Sequence, residues 1–311
     1  MIDRVGTLGL SQTLLAEYSR IQSQMAQTQV QISTGKVGTQ YKDVKDQSGV
    51  LAAAKSKAAG IEAYSTSVKS VVNRLDLYDI QLQSLSNLTG HLRDAMGNAL
   101  ATGNANAFMT QIKSLYQAAV NILNTKVDGK FIYGGSRTDQ PPVNAPTLDD
   151  LLAAPTVASV FNNTTLKQVD RLGDNQTMQT GIDASELATN LFQMFKNIAA
   201  FDAGANGPFA TKLTQAQTTF LNGEHPGVPA IADAINAVAA TNGARHTQAS
   251  AALDQHNDMK TYFAKFISDI EDADLPTAIA RLNQDQVAAQ AAAKMIASLN
   301  QLSLLNFLPV A

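Results

Sequence analysis

The 311-residue sequence has no cysteine, no tryptophan, few charges and no long apolar run. Without cysteine, disulfide frameworks, Cys-ligated zinc or iron–sulfur centres and thiol nucleophiles are excluded. The redox compartment stays open, because a chain without thiols is indifferent to it. No stretch approaches the roughly 18 consecutive apolar residues of a membrane helix, so no bilayer span is expected. Charged residues make up 16% of the chain, below the roughly 25% usual for soluble domains. Gln, Asn, Ser and Thr take the polar positions instead, which suits surfaces that end up packed against other subunits. With 23 Lys+Arg against 26 Asp+Glu, the net charge is −3, and such a chain has no spare cations to exchange for the counterions of nucleic acid. The opening residues Met1 to Gly6 show no apolar core followed by a small-residue cleavage site. No cleaved secretory signal is expected, and export by a route that reads none stays open.

What the sequence does have is helical periodicity. Ile61, Tyr64, Val68, Val71, Leu75, Tyr78, Leu82, Leu85, Thr89, Leu92, Met96 and Ala99 follow an unbroken 3-4 spacing without an internal proline. A helix over 61–99 is ~58 Å long at 1.5 Å per residue, which calls for an elongated molecule. Thr102 to Asn106 is turn chemistry, and Phe108, Ile112, Leu115, Ala119 and Ile122 start an antiparallel partner. Near the N-terminus, Leu14, Tyr18, Ile21, Met25, Thr28 and Ile32 form another stripe, ending at Thr34-Gly35 where glycine can take a left-handed cap.

Composition changes at Gly129. Phe131-Ile132-Tyr133 is a short β-like run, and Leu166–Leu172 with Gln176–Ile182 reads as a hairpin around Gly173-Asp174-Asn175. Asp183-Ala184-Ser185-Glu186 reads as an acidic helix start of capping-box type, and the following helix carries Leu187, Leu191, Met194, Ile198 and Phe201. After a Gly- and Pro-punctuated linker with one short helix, a long helix runs from Ala230 to about Glu271. Asp274 then caps a last helix with Pro276 in its first turn, where proline is harmless. That helix shows Ala288, Ala292, Met295, Leu299 and Leu302 in sequence and closes on Leu304, Leu305, Phe307 and Leu308. The expectation is a mainly α fold: an elongated antiparallel bundle of long heptad-patterned helices, terminal coiled-coil helices and a small β-containing middle module. Residues 1–45 with 276–311 would be the terminal assembly helices, 46–132 with 186–275 the long bundle, and 133–185 the distal module.

No constellation of catalytic residues emerges. His91, His225, His246 and His256 include no pair at the i, i+4 spacing of a helical metal site. Gly134-Gly135-Ser136 lacks both the nucleophile-elbow pattern and the Gly-Lys-Ser/Thr ending of a phosphate loop. Asp269, Glu271, Asp272 and Asp274 lack the glycine and distant glutamate of a calcium loop and suit a charged helix junction. Asn163-Thr164-Thr165 and Asn175-Gln176-Thr177 are weak matches to a glycan acceptor. The reading is no enzyme, no cofactor and no metal. The terminal stripes instead form an assembly surface made of Leu14, Tyr18, Ile21, Met25, Ile32, Met295, Leu299, Leu302, Leu305 and Phe307. Short terminal helices far apart in sequence gain little alone and become ordered when copies stack.

These same residues carry a resemblance. Gln31-Ile32-Ser33-Thr34-Gly35-Lys36 resembles the signature closing the first helix of flagellins and their hook-associated relatives. Ser268-Asp269-Ile270-Glu271-Asp272-Ala273-Asp274, Asn283–Gln290 and Leu299–Leu305 are similar to the family's C-terminal signature. The Asp128–Asp139 stretch and the closing Gln301–Leu308 are most like the members at the hook–filament junction. The resemblance implies an extracellular structural subunit of the bacterial flagellum, joining the hook side to the filament. Its implied partners are itself, a neighbouring hook-associated protein, flagellin and a cytoplasmic export chaperone before secretion. It also implies type III export without a cleavable signal. The alternatives are a flagellin, or a surface-displayed glycan-binding protein on the same scaffold; Phe161 as the only aromatic between Tyr133 and residue 185 speaks against sugar stacking.

Overall fold

A computed structural model of the chain describes residues 2–40, 43–44 and 47–305, with side chains for 9–40, 43–44 and 47–299. The described helices are α1 (Ile2–Thr34), α2 (Ser48–Thr102), α3 (Phe108–Leu123), α4 (Leu148–Ala153), α5 (Ala184–Ala203), α6 (Gln215–Glu224), α7 (Val228–Glu271) and α8 (Leu275–Leu305). Two antiparallel hairpins complete the fold: β1 (Lys126–Val127) with β2 (Lys130–Phe131), and β3 (Val169–Arg171) with β4 (Thr177–Gln179). The chain is mainly α with a small β component, as the periodicity implies. It divides into two compact units, Met1–Ile61 with Asp258–Ala311, and Glu62–Asn257.

In the larger unit the long stripe lies on one continuous helix that begins at Ser48, earlier than its seam suggests. Val68, Val71, Leu75, Tyr78, Leu82, Leu85, Thr89, Leu92, Met96 and Ala99 are all buried. Helix α7 returns antiparallel beside α2. Ser86 Oγ donates to Asn236 Oδ1 (2.9 Å), Asn242 Nδ2 to the Leu75 carbonyl (2.8 Å), and His246 Nε2 lies 2.9 Å from Asp76 Oδ1. Gly103 at φ +63° turns the chain between α2 and α3, a left-handed conformation that favours glycine.

Residues 133–185 share this unit's core, with Tyr133, Val143, Leu148, Leu151, Val160, Leu172 and Met178 all buried. Their backbone is tied to the helices by side chains: Tyr116 Oη donates to the Ala145 carbonyl and Tyr78 Oη to the Ile132 carbonyl, both at 2.7 Å. Asn124 clasps Val143 twice, accepting from its N–H (2.9 Å) and donating to its carbonyl (3.0 Å). The expected hairpin is present with shorter strands, Asp170 opposite Met178. Helix α4, opened by a Thr147/Asp150 capping box, lies in a segment whose composition points to loop. The start of α5 corrects another expectation. Asp183 occupies the N-cap position without a side-chain cap bond. Its buried carboxylate is turned into the core, and the orphan N–H groups are met from elsewhere in the chain. Ala184 N–H donates to the Tyr133 carbonyl (3.1 Å) and Ser185 N–H to Asn163 Oδ1 (3.1 Å).

Candidate functional site

The smaller unit is organised by the pairing of α1 with α8. On α1 the seam read from sequence is the face turned inward: Ile21 and Thr28 are buried, and Leu14, Tyr18, Met25 and Ile32 are half-buried. The opposing face of α8 is made of Ala278, Leu282, Asp285, Ala289, Ala292, Ile296 and Leu299, again at 4-3 spacing. Small alanines thus face the larger residues of α1, which lets the two helices approach closely. Leu299 falls on this inner face, as its place in the stripe suggests, whereas Met295 points outward and is 56% exposed. Its neighbour Ile296 takes the inner position. Of the other expected assembly residues, the side chains of Leu302 and Leu305 and the whole of Phe307 lie outside the described residues.

The α1–α8 seam is partly polar. A groove of about 580 Å³ is lined by Glu17, Arg20, Gln24, Thr28, Arg281 and Asp285 among others. Arg20 pairs with Glu17 one turn away, and this bond holds the glutamate below the usual carboxylate range. Outward, both helices keep large apolar side chains: Leu10, Leu15 and Val30 on α1, and Leu275, Ile279, Val287 and Met295 on α8.

The two signature segments meet where the helix pair begins. Gly35 ends α1 in the left-handed conformation (φ +68°), with its N–H on the Gln31 carbonyl (2.9 Å). The chain then forms a short antiparallel bridge, Lys36 opposite Asp272. Val37 N–H donates to the Glu271 carbonyl (2.7 Å) and Ala273 N–H to the Gly35 carbonyl (2.9 Å). Side chains reinforce it: Lys36 Nζ donates to Asp272 Oδ1 (2.6 Å) and reaches Glu271 at 3.5 Å, while Lys55 from α2 also pairs with Glu271. Ser268 Oγ donates to Asp272 and Gln31 Nε2 to the Val37 carbonyl (2.7 Å). Asp274 caps α8, accepting from Thr277 Oγ1 (2.7 Å) and Thr277 N–H (3.3 Å). The acidic run is therefore a junction in which Glu271, Asp272 and Asp274 each have a named structural partner. The Gly35 and Asp274 caps were readable from local sequence, whereas the Lys36–Asp272 and Lys55–Glu271 pairs join residues far apart in the chain and carry no local signal.

Hydrogen bonds from Lys36 and then Ser268 hold the Asp272 carboxyl below its ordinary value, and the Asp272 bond raises Lys36. A carboxylate depressed on folding adds stability above its unfolded value and loses that contribution as the pH falls through the folded one. As the pH drops below about 4, the range where ordinary aspartates protonate, the bridge is expected to loosen. Amide hydrogen exchange at Val37 and Ala273 should quicken there, and Lys36→Ala should flatten that pH dependence.

The remaining polar motifs are structural. Ser136 Oγ and Thr164 Oγ1 are 2.7 Å apart, and the same threonine oxygen accepts from Ser136 N–H. A Cβ at Gly134 would lie 2.0 Å from the Arg137 carbonyl oxygen and one at Gly135 2.4 Å from that of Thr164, so these glycines serve close backbone packing. His256 Nε2 sits 2.6 Å from the Leu172 carbonyl and its ring stacks on Tyr64. Among the described residues no group of three His, Asp or Glu could hold a metal ion, and no helix is long and apolar enough to cross a membrane. Asn163 is half-buried with its amide engaged by Ser185. Phe161 packs on Phe192, ring centroids 5.2 Å apart.

Residues 228–308 match the family model of the bacterial flagellin C-terminal helical region. The match opens at the first residue of α7 and includes all of α8. No curated protein matches the chain. Among solved structures, a Vibrio parahaemolyticus protein assigned as flagellar hook-associated aligns with 17% identity and a TM-score of 0.58. The alignment covers 72% of this chain and 97% of that one. FlgL of Bacillus cereus aligns with 14% identity and a TM-score of 0.43, over 70% of this chain and 96% of that one. At such identity the Vibrio likeness is one of fold. Residues 228–308 are thus similar to the flagellin C-terminal helical region, and the fold is one shared with the Vibrio protein.

Proposed function

We propose that this chain is a non-enzymatic structural subunit of the bacterial flagellum. Within that class we assign it to the junction between hook and filament. The observation that carries the reading is the bridge at Lys36 and Asp272. It brings the Gln31–Lys36 segment and the Ser268–Asp274 segment, the two stretches that resemble flagellins and hook-associated proteins, into one structural element. The flagellin-type match over 228–308 supports the same class. The assembly surface consists of the paired terminal helices, with Leu14, Tyr18, Ile21, Met25 and Ile32 on the inner face of α1 and Leu299 on that of α8. Met295 faces outward toward neighbouring copies, and Leu302, Leu305 and Phe307 extend the surface at the C-terminal end. The partners are further copies of the chain, an adjacent hook-associated protein and flagellin. A cytoplasmic export chaperone covers the apolar C-terminal end before secretion, and the mature subunit is extracellular.

Immunogold labelling of flagella from the producing bacterium is the direct test. A single band where the hook meets the filament is the expected result. Labelling along the whole filament would make the chain a flagellin instead, and labelling of the cell surface alone would remove it from the flagellum.

A further inference from the structure

Helix α8 carries two regular stripes that could face α1, and the structure uses one of them. Both contain Ala278, Asp285, Ala292 and Leu299, which recur every seven residues. Between these anchors the observed inner face takes Leu282, Ala289 and Ile296, whereas the rival face takes Arg281, Ala288 and Met295. With 3.6 residues per turn, the two faces differ by a rotation of about 50° around the helix axis. Two of the three alternatives do not discriminate between them. Ala288 and Ala289 are the same residue, and Met295 and Ile296 are apolar side chains of similar volume. The third does, because a leucine gains by leaving water and an arginine keeps its charge wherever it is put.

The structure resolves the choice accordingly. Leu282 is half-buried on the inner face and Arg281 is exposed. Arg281 lies where the seam opens into the polar groove, which Asp285, one turn further along α8, and Glu17 and Arg20 of α1 also line. There its guanidinium keeps water and faces carboxylates, and a turn of α8 onto the rival face would carry it toward the middle of the seam. We propose that Arg281 is a positioning residue that sets the rotation of α8 on α1, and with it the side chain that α8 presents at 295. A helix transmits this choice along its length. About 21 Å beyond Arg281, Met295 is 56% exposed while Ile296 is half-buried and Ala292 is 8% exposed. The importance of this rotation for assembly rests on the reading of the outer face of α8 as a contact between copies; the rotation itself does not.

The exchange Arg281→Leu/Leu282→Arg, made in the full chain, tests this. Exposure at 295 is read by hydrogen peroxide, which transfers one oxygen to the methionine sulfur and leaves as water, with the sulfoxide counted by mass spectrometry. Met295 should oxidise several-fold more slowly in the exchanged chain than in the parent. Arg281→Lys, which keeps a cation at that place, should leave the rate unchanged. Leu299→Cys, in a chain without other thiols, marks a position common to both faces and should stay protected from a thiol reagent in parent and exchanged chains alike. Unchanged oxidation of Met295 in the exchanged chain, with the thiol at 299 still protected, would overturn the proposal. Rapid labelling of that thiol would mean that α8 leaves α1 rather than turning on it, and would overturn it equally. Both readings are made on the isolated subunit, so they stand or fall separately from the immunogold result.

Discussion

Asp170→Ala is expected to lower the unfolding free energy by about 3 kcal/mol, near the bottom of the range for stripping one partner from a buried ion pair. The pair joins α2 to the β3–β4 hairpin: Arg74 Nη2 bonds Asp170 Oδ2, and the fully buried Thr180 donates to the same oxygen. The side chains are only 17% and 16% exposed. Arginine does not escape by losing its proton, so without Asp170 its charge stays in a poorly solvated place. The residual exposure of both groups is what keeps the expected loss at the lower end. Replacing both residues together, Arg74→Met with Asp170→Leu, should restore most of the stability, because an apolar pair of similar volume avoids the desolvation cost altogether. Urea titration of the single and double variants measures this. A single-variant loss below about 1 kcal/mol, the range of exposed pairs, would mean that Arg74 swings out to water when freed.

The contrast between what was readable and what was not follows from the range of the interactions. The α2 stripe from Ile61 to Ala99 was legible because a 3-4 spacing is a local property, and nearly all its members are buried in the structure. The break at Asp272–Asp274 was legible for the same reason, with Asp274 and Thr277 three residues apart. Asp183 reads equally well as a cap, yet the competing pull comes from Tyr133 and Asn163, which no local window contains. Met295 and Ile296 are adjacent and both apolar, so composition could not tell which one α1 would cover. The stripe chosen over Ala292, Met295 and Leu299 is regular, and the inner face through Ala292, Ile296 and Leu299 is equally so. The division between the two units is invisible to such reasoning, since it falls inside the continuous helices α2 and α7.

That register decides the second experiment. The sequence marks the terminal stripes as surfaces awaiting other copies, but in the structure α1 and α8 cover much of those stripes with each other. What remains for neighbours is the outer apolar set, in which Val287 is 67% and Met295 56% exposed. Val287→Asp/Met295→Asp should therefore leave the isolated subunit almost untouched, because surface substitutions typically shift stability by no more than about 0.5 kcal/mol each. Its helical circular dichroism and unfolding midpoint should match those of the parent. Assembly should fail, since each carboxylate would be carried into an interface without a partner, at several kcal/mol per ion. Ile21→Asp supplies the opposite pattern. It strikes the buried seam, so α1 and α8 should separate in the monomer and their amides exchange quickly. Normal incorporation of the Val287→Asp/Met295→Asp chain into flagella would show that copies do not meet through the outer face of α8. The assembly surface would then have to be sought on other faces of the terminal helices.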